Sequence, residues 1–223
     1  MKNIIKLALA GFILVLSANA SALTLSFDCI TGNLAGNCAI GESQLSVEVT
    51  DAGNNGTNNQ VLFTFLNNGS DDNFIRNVYF DDGTLLGIAT LIDADEGVGG
   101  DMNVDFSQGS NPPDLPGGEN VNFEVTAGFL ADADTPQPQN TGVNPGESLG
   151  ILFNLILEQD FDDVINALTI GDADGGLRIG IHLQSIGSNN GSESFVNAPV
   201  PVPAAVWLFG SALGLLAWYR KKA

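Results

Sequence analysis

Apolar and polar residues alternate along most of the chain between residues 23 and 197. Residues 23–29 place Leu, Leu and Phe on one side and Thr, Ser and Asp on the other, which is the period of two that is typical of a half-buried β-strand. Runs of Gly, Asn and Asp interrupt this alternation and are typical of turns. The predicted strands are 23–29, 45–50, 60–67, 75–80, 85–92, 121–127, 149–157 and 177–185, with a short edge strand at 104–106 and Phe195 closing an edge.

Three features of the pattern predict how these strands are arranged. Residues 81–84, Asp-Asp-Gly-Thr, separate two strands and predict a hairpin, because Asp-Gly tolerates positive φ. Residues 149–157 are the most apolar strand and are predicted to lie centrally in the sheet. Residues 161–168 instead have helical spacing, with Asp160 as the N-cap.

Eight or nine short strands with turn residues between them predict an all-β fold. The expected architecture is an antiparallel β-sandwich, Greek-key or jelly-roll-like, with one short helix. Pro- and Gly-rich stretches at 93–118 and 132–146 are too long for ordinary turns. We expect these loops to cluster at one end of the sandwich and to carry whatever binding site exists.

Residues 1–22 have the features of a secretory signal peptide. Two lysines precede an apolar stretch of ten residues, and small residues follow it. Cleavage is expected after Ala22, with Ala20 as the alternative. An uncleaved N-terminal signal helix is the other interpretation, for which the apolar stretch is short. Residues 23–197 then form one extracytoplasmic domain, a length sufficient for one hydrophobic core.

Residues 198–223 form a second targeting segment. A proline-rich approach leads into an apolar run at 204–219, and Arg220, Lys221 and Lys222 follow it. About 16 apolar residues give about 24 Å of helix, whereas the bilayer core is about 30 Å thick. We therefore predict a short transmembrane helix with its cations on the cytoplasmic side, suited to a temporary stay in the membrane. A permanent C-terminal anchor is the alternative.

The tail begins with an ordered motif, which consists of Val200, Pro201, Val202, Pro203 and Ala204. Together with the apolar run and the basic end, it resembles the PEP-CTERM sorting tail, most closely the variant written Val-Pro-Leu-Pro-Ala. The resemblance implies processing by an exosortase, a multi-pass membrane cysteine protease or transpeptidase of Gram-negative bacteria that usually make exopolysaccharide. It also implies a transient inner-membrane stage with the body on the periplasmic side, followed by the cell surface or the medium. Val202 stands where the founding motif has Glu, which leaves the choice of processing enzyme open.

The charge of the chain is strongly one-sided. Five of the 7 Lys and Arg residues lie in the two terminal segments. The body therefore contains all 26 Asp and Glu residues but only two basic residues, Arg76 and Arg178. Such a body is unsuited to nucleic acid or to an anionic membrane, because both recruit basic surfaces. It permits divalent cations or cationic surfaces as partners, while solubility through self-repulsion explains the charge equally well.

Cys29 and Cys38 are the only cysteines. Two cysteines in an exported chain, with glycines in the turn between them, predict one local disulfide. A metal-binding pair or a reactive thiol is the alternative, although the sequence places no histidine or third cysteine nearby.

Paired aspartates on Gly-containing loops are the main candidate for a metal site. The best-placed pairs are Asp93 with Asp95 and Asp172 with Asp174. Calcium takes six to eight oxygen ligands, which such loops can supply, so calcium is the one cofactor that the sequence leaves open. None of the pairs completes the EF-hand pattern, and Asp and Gly also build ordinary turns.

Little in the sequence indicates an enzyme, and no catalytic residue is predicted. His182 is the only histidine, and the alternation of its strand puts it on the wetter face with Arg178 and Gln184. No G-x-S-x-G motif supports a nucleophile. Both Trp residues lie in the tail, so the body has few of the aromatic platforms on which sugar-binding modules stack their ligands.

The favoured interpretation is a secreted, non-enzymatic surface or extracellular-matrix protein, sorted by its tail through an exosortase-like membrane protease and linked to exopolysaccharide or biofilm. The alternative is a calcium- or glycan-binding adhesion module on the same scaffold. A hydrolase that uses surface carboxylates is the third interpretation.

Overall fold

The computed structural model describes residues 22–81, 104–109, 114–125 and 130–199, together with the backbone of residues 86–92. Its strands are β1 (Ala22–Cys29), β2 (Leu45–Asn54), β3 (Asn59–Asn67), β4 (Phe74–Asp81), β5 (Leu86–Ile92), β6 (Phe106–Gln108), β7 (Leu130–Ala133), β8 (Ser148–Leu155), β9 (Arg178–Ile186) and β10 (Gly191–Asn197). The α-helices are α1 (Asn37–Gln44), α2 (Pro138–Thr141) and α3 (Phe161–Ile170), and 3₁₀ turns span Gly118–Val121 and Gly187–Asn189.

The ten described strands belong to one curled sheet in the order β5-β8-β3-β2-β1-β10-β9-β4-β7-β6. Every pairing among them is antiparallel. β1 makes the bend, because residues 22–26 pair with β2 while residues 27–29 pair with β10. We call the strands from β5 to β2 the first half and those from β10 to β6 the second half. The predicted antiparallel, mostly-β fold is confirmed.

A cluster of aromatic rings joins the inner faces of the two halves. Phe63 of β3 and Phe153 of β8 belong to the first half, and Phe80 of β4 belongs to the second. The ring centroid of Phe80 lies 5.2 Å from that of Phe63 and 4.8 Å from that of Phe153, in edge-to-face geometry. All three rings are fully buried, so side chains from both halves of the curled sheet contribute to one core.

The first half follows the predicted alternation. In β3, Val61, Phe63 and Phe65 are buried, while Leu62 and Thr64 between them are half-buried on the opposite face. β2 and β8 bury alternate residues in the same way over their paired lengths. One face of these strands therefore forms the core and the other faces outward.

Three predicted arrangements are wrong. β8 lies beside the edge strand β5 rather than at the centre, and it ends at Leu155 because Leu157 and Glu158 have positive φ. β4 and β5 do not form a hairpin: β4 pairs with β9 and β7, and β5 pairs with β8. Phe195 is not at an edge, since β10 lies between β1 and β9. The chain crosses between the halves after β4, a choice that local turn residues do not determine.

The predicted helix is confirmed and runs two residues further, to Ile170. Asp160 caps it by accepting the backbone N–H groups of Asp162 and Asp163 at 3.0 and 3.2 Å. Asp163 in turn accepts the N–H of Asp160 at 2.9 Å, which completes a capping box. Helix α1 was not predicted, because its sequence has no helical spacing of apolar residues; Gly41 lets it approach the ring of Phe195 in β10.

A second, smaller apolar cluster covers the outer face of the second half. Segment 114–125 crosses this face and contributes Leu115 and Phe123 to a cluster that also contains Tyr79. Gly180 of β9 makes room for the segment, since a Cβ there would lie 2.8 Å from Leu115 and 3.0 Å from the Phe123 ring. β4 and residues 193–197 of β10 in the second half are thus largely buried on both faces.

The strand predicted at 121–127 is wrong over its described part. The chain there ends a 3₁₀ turn at Val121, and Asn122 has φ 51, which breaks an extended run. The guanidinium of Arg178 accounts for this path, because it donates to the carbonyl oxygens of Val121 and Asn122. The apolar residues of this segment, which suggested a strand, pack into the second apolar cluster instead.

Candidate functional site

The tail leaves the body from the middle of the sheet. Asn197, the last residue of β10, pairs with Phe27 of β1. Its side-chain oxygen accepts the backbone N–H of Ile179 at 2.7 Å, and the N–H of Ala198 donates to the carbonyl of Ser26 at 2.8 Å. We call residues 197–199 the tail root. The body therefore holds the chain by hydrogen bonds up to Ala198, two residues before the predicted sorting motif.

The beginning of β10 is held by a buried carboxylate. Glu193 is 1 % exposed. Its oxygens accept the hydroxyl of Thr31 and the backbone N–H groups of Asn33 and Leu34, the last two at 2.8 Å each. Burial alone would raise the pKa of Glu193, but these hydrogen bonds, with one from Gly32, outweigh it and lower the pKa below 4.5. Glu193 is therefore ionised at neutral pH.

A disulfide joins Cys29 and Cys38, as the sequence predicts, with the Cα atoms 5.4 Å apart. It closes the loop whose backbone N–H groups bind Glu193. The two sulfurs and a Glu193 oxygen lie within 4.8 Å of one another. Sulfurs bonded to each other are not thiolate ligands, and the oxygens of Glu193 already accept hydrogen bonds, so this group locks β10 to the loop rather than forming a metal site.

Asp172 and Asp174 lie on the loop between α3 and β9, at one end of the sheet. This loop borders a cleft of about 320 Å³ that is also lined by Asp81, Glu124 and Arg178. Arg178 forms an ion pair with Asp81, which also lines the cleft, with an Nε–Oδ2 distance of 3.1 Å. Its guanidinium carbon lies 5.3 Å from the centre of the Phe123 ring. Contrary to the prediction, Arg178 is buried, because segment 114–125 covers it.

The cleft is acidic, but Asp172 and Asp174 do not belong to a group of three converging metal-ligating side chains. In the described part of the chain, the one group of three metal-ligating side chains within 4.8 Å is that of the disulfide and Glu193. Both aspartates are exposed on their turn. The calcium prediction for this pair therefore gains no support from side-chain geometry, and Asp93 and Asp95 lie outside the described residues.

His182 occupies the outer face of β9, as predicted, and is half-buried. Its Nδ1 is 3.4 Å from the Asn77 side-chain oxygen, and the Asn77 amide donates to Asp132 at 2.7 Å. Burial, and then the charge of Arg76, lower the pKa of His182 from 6.5. Ser194 of β10 pairs with His182 of β9. Ser194 is fully buried, so its hydroxyl is not accessible to a substrate in this fold.

No family model, curated protein or solved structure matches this chain. Among the described residues, no helix has the length and apolar character needed to cross a bilayer. The sorting motif at 200–204, the basic residues at 220–222 and Ala20 lie outside the described part. Ala22 is the first residue of β1 and pairs with Thr50; cleavage after Ala20 would keep this pair, and cleavage after Ala22 would remove it.

Proposed function

We propose that the chain is an exported, non-enzymatic surface or extracellular-matrix protein whose tail is a temporary sorting signal, cut by an exosortase-like membrane protease. The sequence motif at 200–204 supports the sorting role. One observation in the body carries the proposal: Ala198 is the last described residue whose amide bonds to the sheet. A cut within the motif would therefore leave every strand of the body in place.

The chemistry of the body supports export and a structural role. A disulfide at Cys29 and Cys38 suits an oxidising compartment outside the cytoplasm. The charged groups most deeply placed in the described residues, Arg178 and Glu193, hold neighbouring chain segments together. We infer transfer from the periplasmic side of the inner membrane to the cell surface or the medium, with exopolysaccharide as a partner there.

We further infer that the curled sheet is a sandwich with jelly-roll-like connections. Strands β3, β8 and β5 neighbour one another in the first half, and β9, β4 and β7 do so in the second. Successive strands from β3 to β5 thus alternate between the halves, which is typical of Greek-key and jelly-roll folds.

Intact-mass spectrometry of the protein from its native host tests the sorting proposal. The expected mass is that of a chain that begins at Leu23 or Ser21 and ends within residues 200–204. A matched variant with Pro201 and Pro203 replaced by alanine should keep its tail. Recovery of mature parent protein with Arg220 to Ala223 still attached would contradict the proposal.

The second candidate function is calcium-dependent or glycan-dependent adhesion, for which the acidic lining of the cleft at Asp172 and Asp174, rather than a set of converging ligands, is the supporting observation. Isothermal titration of the whole protein with calcium tests it, and the double variant Asp172→Asn/Asp174→Asn should remove the heat. The control Asp28→Asn/Glu48→Gln removes two acids outside the cleft and should leave the heat unchanged. No heat from the parent at millimolar calcium would end the calcium candidate, and a glycan array tests the glycan candidate.

A further inference from the structure

We propose that the disulfide between Cys29 and Cys38 is a redox-dependent latch for the start of β10. With the disulfide formed, the disulfide loop, residues 30–36, is closed on Glu193. With two free thiols, the loop and the start of β10 separate while the rest of the sheet stays folded. The inference rests on the proposed function only for the compartment in which the disulfide forms.

The disulfide loop is attached to the first residues of β10 by hydrogen bonds. Asn33 donates twice, its backbone N–H to Glu193 at 2.8 Å and its side-chain amide to the carbonyl of Ser192 at 2.8 Å. Thr31 also bonds twice, because its hydroxyl donates to Glu193 and accepts the N–H of Ser194 at 3.0 Å. These bonds form together only while the loop keeps one conformation, so whatever fixes that conformation controls the contact.

The sequence around the loop does little to fix this conformation. Gly32 and Gly36 have positive φ, and glycine loses more conformational freedom on ordering than other residues. Helix α1, which follows, is eight residues long and has no side-chain cap at its start, and a helix this short is marginal by itself. The disulfide joins the end of β1 to Cys38, the second residue of α1. It is therefore the bond that holds the two ends of the loop together.

Opening of the loop leaves the rest of the sheet in place. The second part of β10 has its own support, since residues 195–197 pair with β1 and the ring of Phe195 is fully buried. The far end of α1 is held by Gln44, whose carbonyl accepts the N–H of Asn68 at 2.8 Å and whose side chain accepts the Asn73 amide at 2.7 Å. The separation is therefore a local opening and not an unfolding of the body.

The latch closes by thiol–disulfide exchange with an oxidising dithiol carrier protein. The thiolate of one cysteine attacks the carrier's disulfide, which gives a mixed disulfide and releases one carrier thiolate. The thiolate of the other cysteine attacks the sulfur of the first, which forms the bond between Cys29 and Cys38 and releases the second carrier thiolate. The body loses two electrons and two protons, and the carrier takes up both. Because disulfides persist outside the cytoplasm, the loop closes after export.

Hydrogen–deuterium exchange of the detergent-solubilised full chain, measured by mass spectrometry, tests the latch. The variant Cys29→Ser/Cys38→Ser represents the reduced state. Its disulfide loop should exchange at least tenfold faster than that of the parent, since closing a loop of this length by a cross-link is worth up to about a hundredfold. Within the variant, β3 should remain far better protected than the loop, and circular dichroism should show that the sheet is kept.

Two results of this comparison would overturn the latch. Equal exchange of the disulfide loop in parent and variant would show that the disulfide does not control the contact. Loss of the sheet in the variant would show that the disulfide holds the whole fold rather than one contact.

Glu193→Gln tests the same contact with the disulfide intact. It should speed exchange of the disulfide loop about tenfold in the parent, but less than twofold in the cysteine-free chain, where the contact is already open. Glu48→Gln, on β2, is the matched control and should change neither rate. A tenfold effect in both backgrounds would mean that Glu193 and the disulfide act independently, which contradicts the latch.

Thiol trapping in the native host separates this inference from the proposed function. A maleimide of known mass should label two thiols in the precursor that accumulates when export is blocked, and none in the exported protein. A disulfide in the blocked precursor would overturn closure after export. An uncut tail would refute the sorting proposal, while the exchange rates still decide the latch.

Discussion

The two halves of the curled sheet bury their side chains in different ways. In the first half, β3 buries Val61, Phe63 and Phe65 and leaves the opposite face half-exposed. In the second half, β4 and β10 are buried on both faces, because the core lies on one side while segment 114–125 and the disulfide loop lie on the other. Strands covered on both faces are usually apolar throughout, but β10 has polar residues at positions that this cover buries.

The buried polar residues reflect this difference. The second half contains Asn77, Arg178, Glu193, Ser194 and Asn197 among its buried residues, whereas the described strands of the first half bury one polar residue, Asn67 of β3. Burying an apolar side chain needs only the removal of water, whereas a buried charge or amide needs a particular partner. We therefore expect the second half to be more sensitive to single polar substitutions, and the first half to tolerate them on its outer face.

The largest expected effect on stability is that of removing the Phe80 ring, which belongs to the second half and packs against rings of the first. Phe80→Ala removes a fully buried ring that contacts Phe63 and Phe153, and we expect a loss of about 3–5 kcal/mol in the free energy of unfolding. Urea denaturation measures it. Leu152→Ala, on the half-exposed face of β8, is the control and should cost less than half as much; an equal cost would show that the two halves do not depend on this contact.

Arg178→Ala should be the next largest effect. It removes the guanidinium donor from Asp81, which keeps the Glu124 N–H at 3.3 Å, and from the carbonyl oxygens of Val121 and Asn122. Because the ion pair is partly screened by solvent, we expect a loss of about 2–3 kcal/mol. Thr64→Ala, on the outer face of the first half, should stay within about 0.5 kcal/mol. Similar losses from the two substitutions would remove the distinction between the halves.

Glu193→Gln should give a smaller loss that depends on pH. The folded-state pKa of Glu193 is below 4.5, so its ionised form stabilises the fold above pH 4.5, and this contribution is lost as the pH falls through the folded-state pKa. We expect a loss of about 1–2 kcal/mol at pH 7 that shrinks towards acid. Urea midpoints between pH 3 and 7 measure it, with Glu48→Gln as the control. A loss that is the same at every pH would contradict the assigned role of the charge.

His182 should have the smallest effect. Its folded-state pKa is below 6.5, so the unfolded chain binds the proton more tightly and stability falls as the pH drops below 6.5. We expect less than about 1 kcal/mol over this range. His182→Gln should flatten the dependence, and an NMR titration of the single histidine measures the pKa directly. A value at or above 6.5 would contradict the burial of this face.

The strands β2 and β3 of the first half were also easier to predict from the sequence than β10 of the second half. The start of β2 was predicted because Val47 and Val49 alternate with Glu48 and Thr50, which sets the period of two, and β3 was predicted from its apolar run at 61–66. Of β10, only Phe195 was predicted, and it was placed at an edge. The polar residues Glu193, Ser194 and Asn197 obscure the pattern of a strand that is buried from residue 193 to residue 197. No alternation remains when both faces are buried and some of the buried residues are polar.

The features of the candidate site also differ in how far the sequence alone predicts them. Cys29 and Cys38 could be paired from their number and spacing alone. Nothing local indicated that Glu193 binds the same loop, since the two segments are about 160 residues apart. The pair Asp172 and Asp174 was visible as a turn, but whether its carboxylates converge depends on side-chain directions that spacing does not set.

Local patterns were sufficient for the features that depend on neighbours along the chain: the inward faces of the first-half strands, the capped helix α3 and the short disulfide loop. Strand order, the crossing from β4 to β5, the path of segment 114–125 and the clamping of β10 at the tail root depended on the folded molecule. The reason is that each requires partners far apart in the chain, and a hydrogen bond or buried ion pair forms only where the fold brings both groups together.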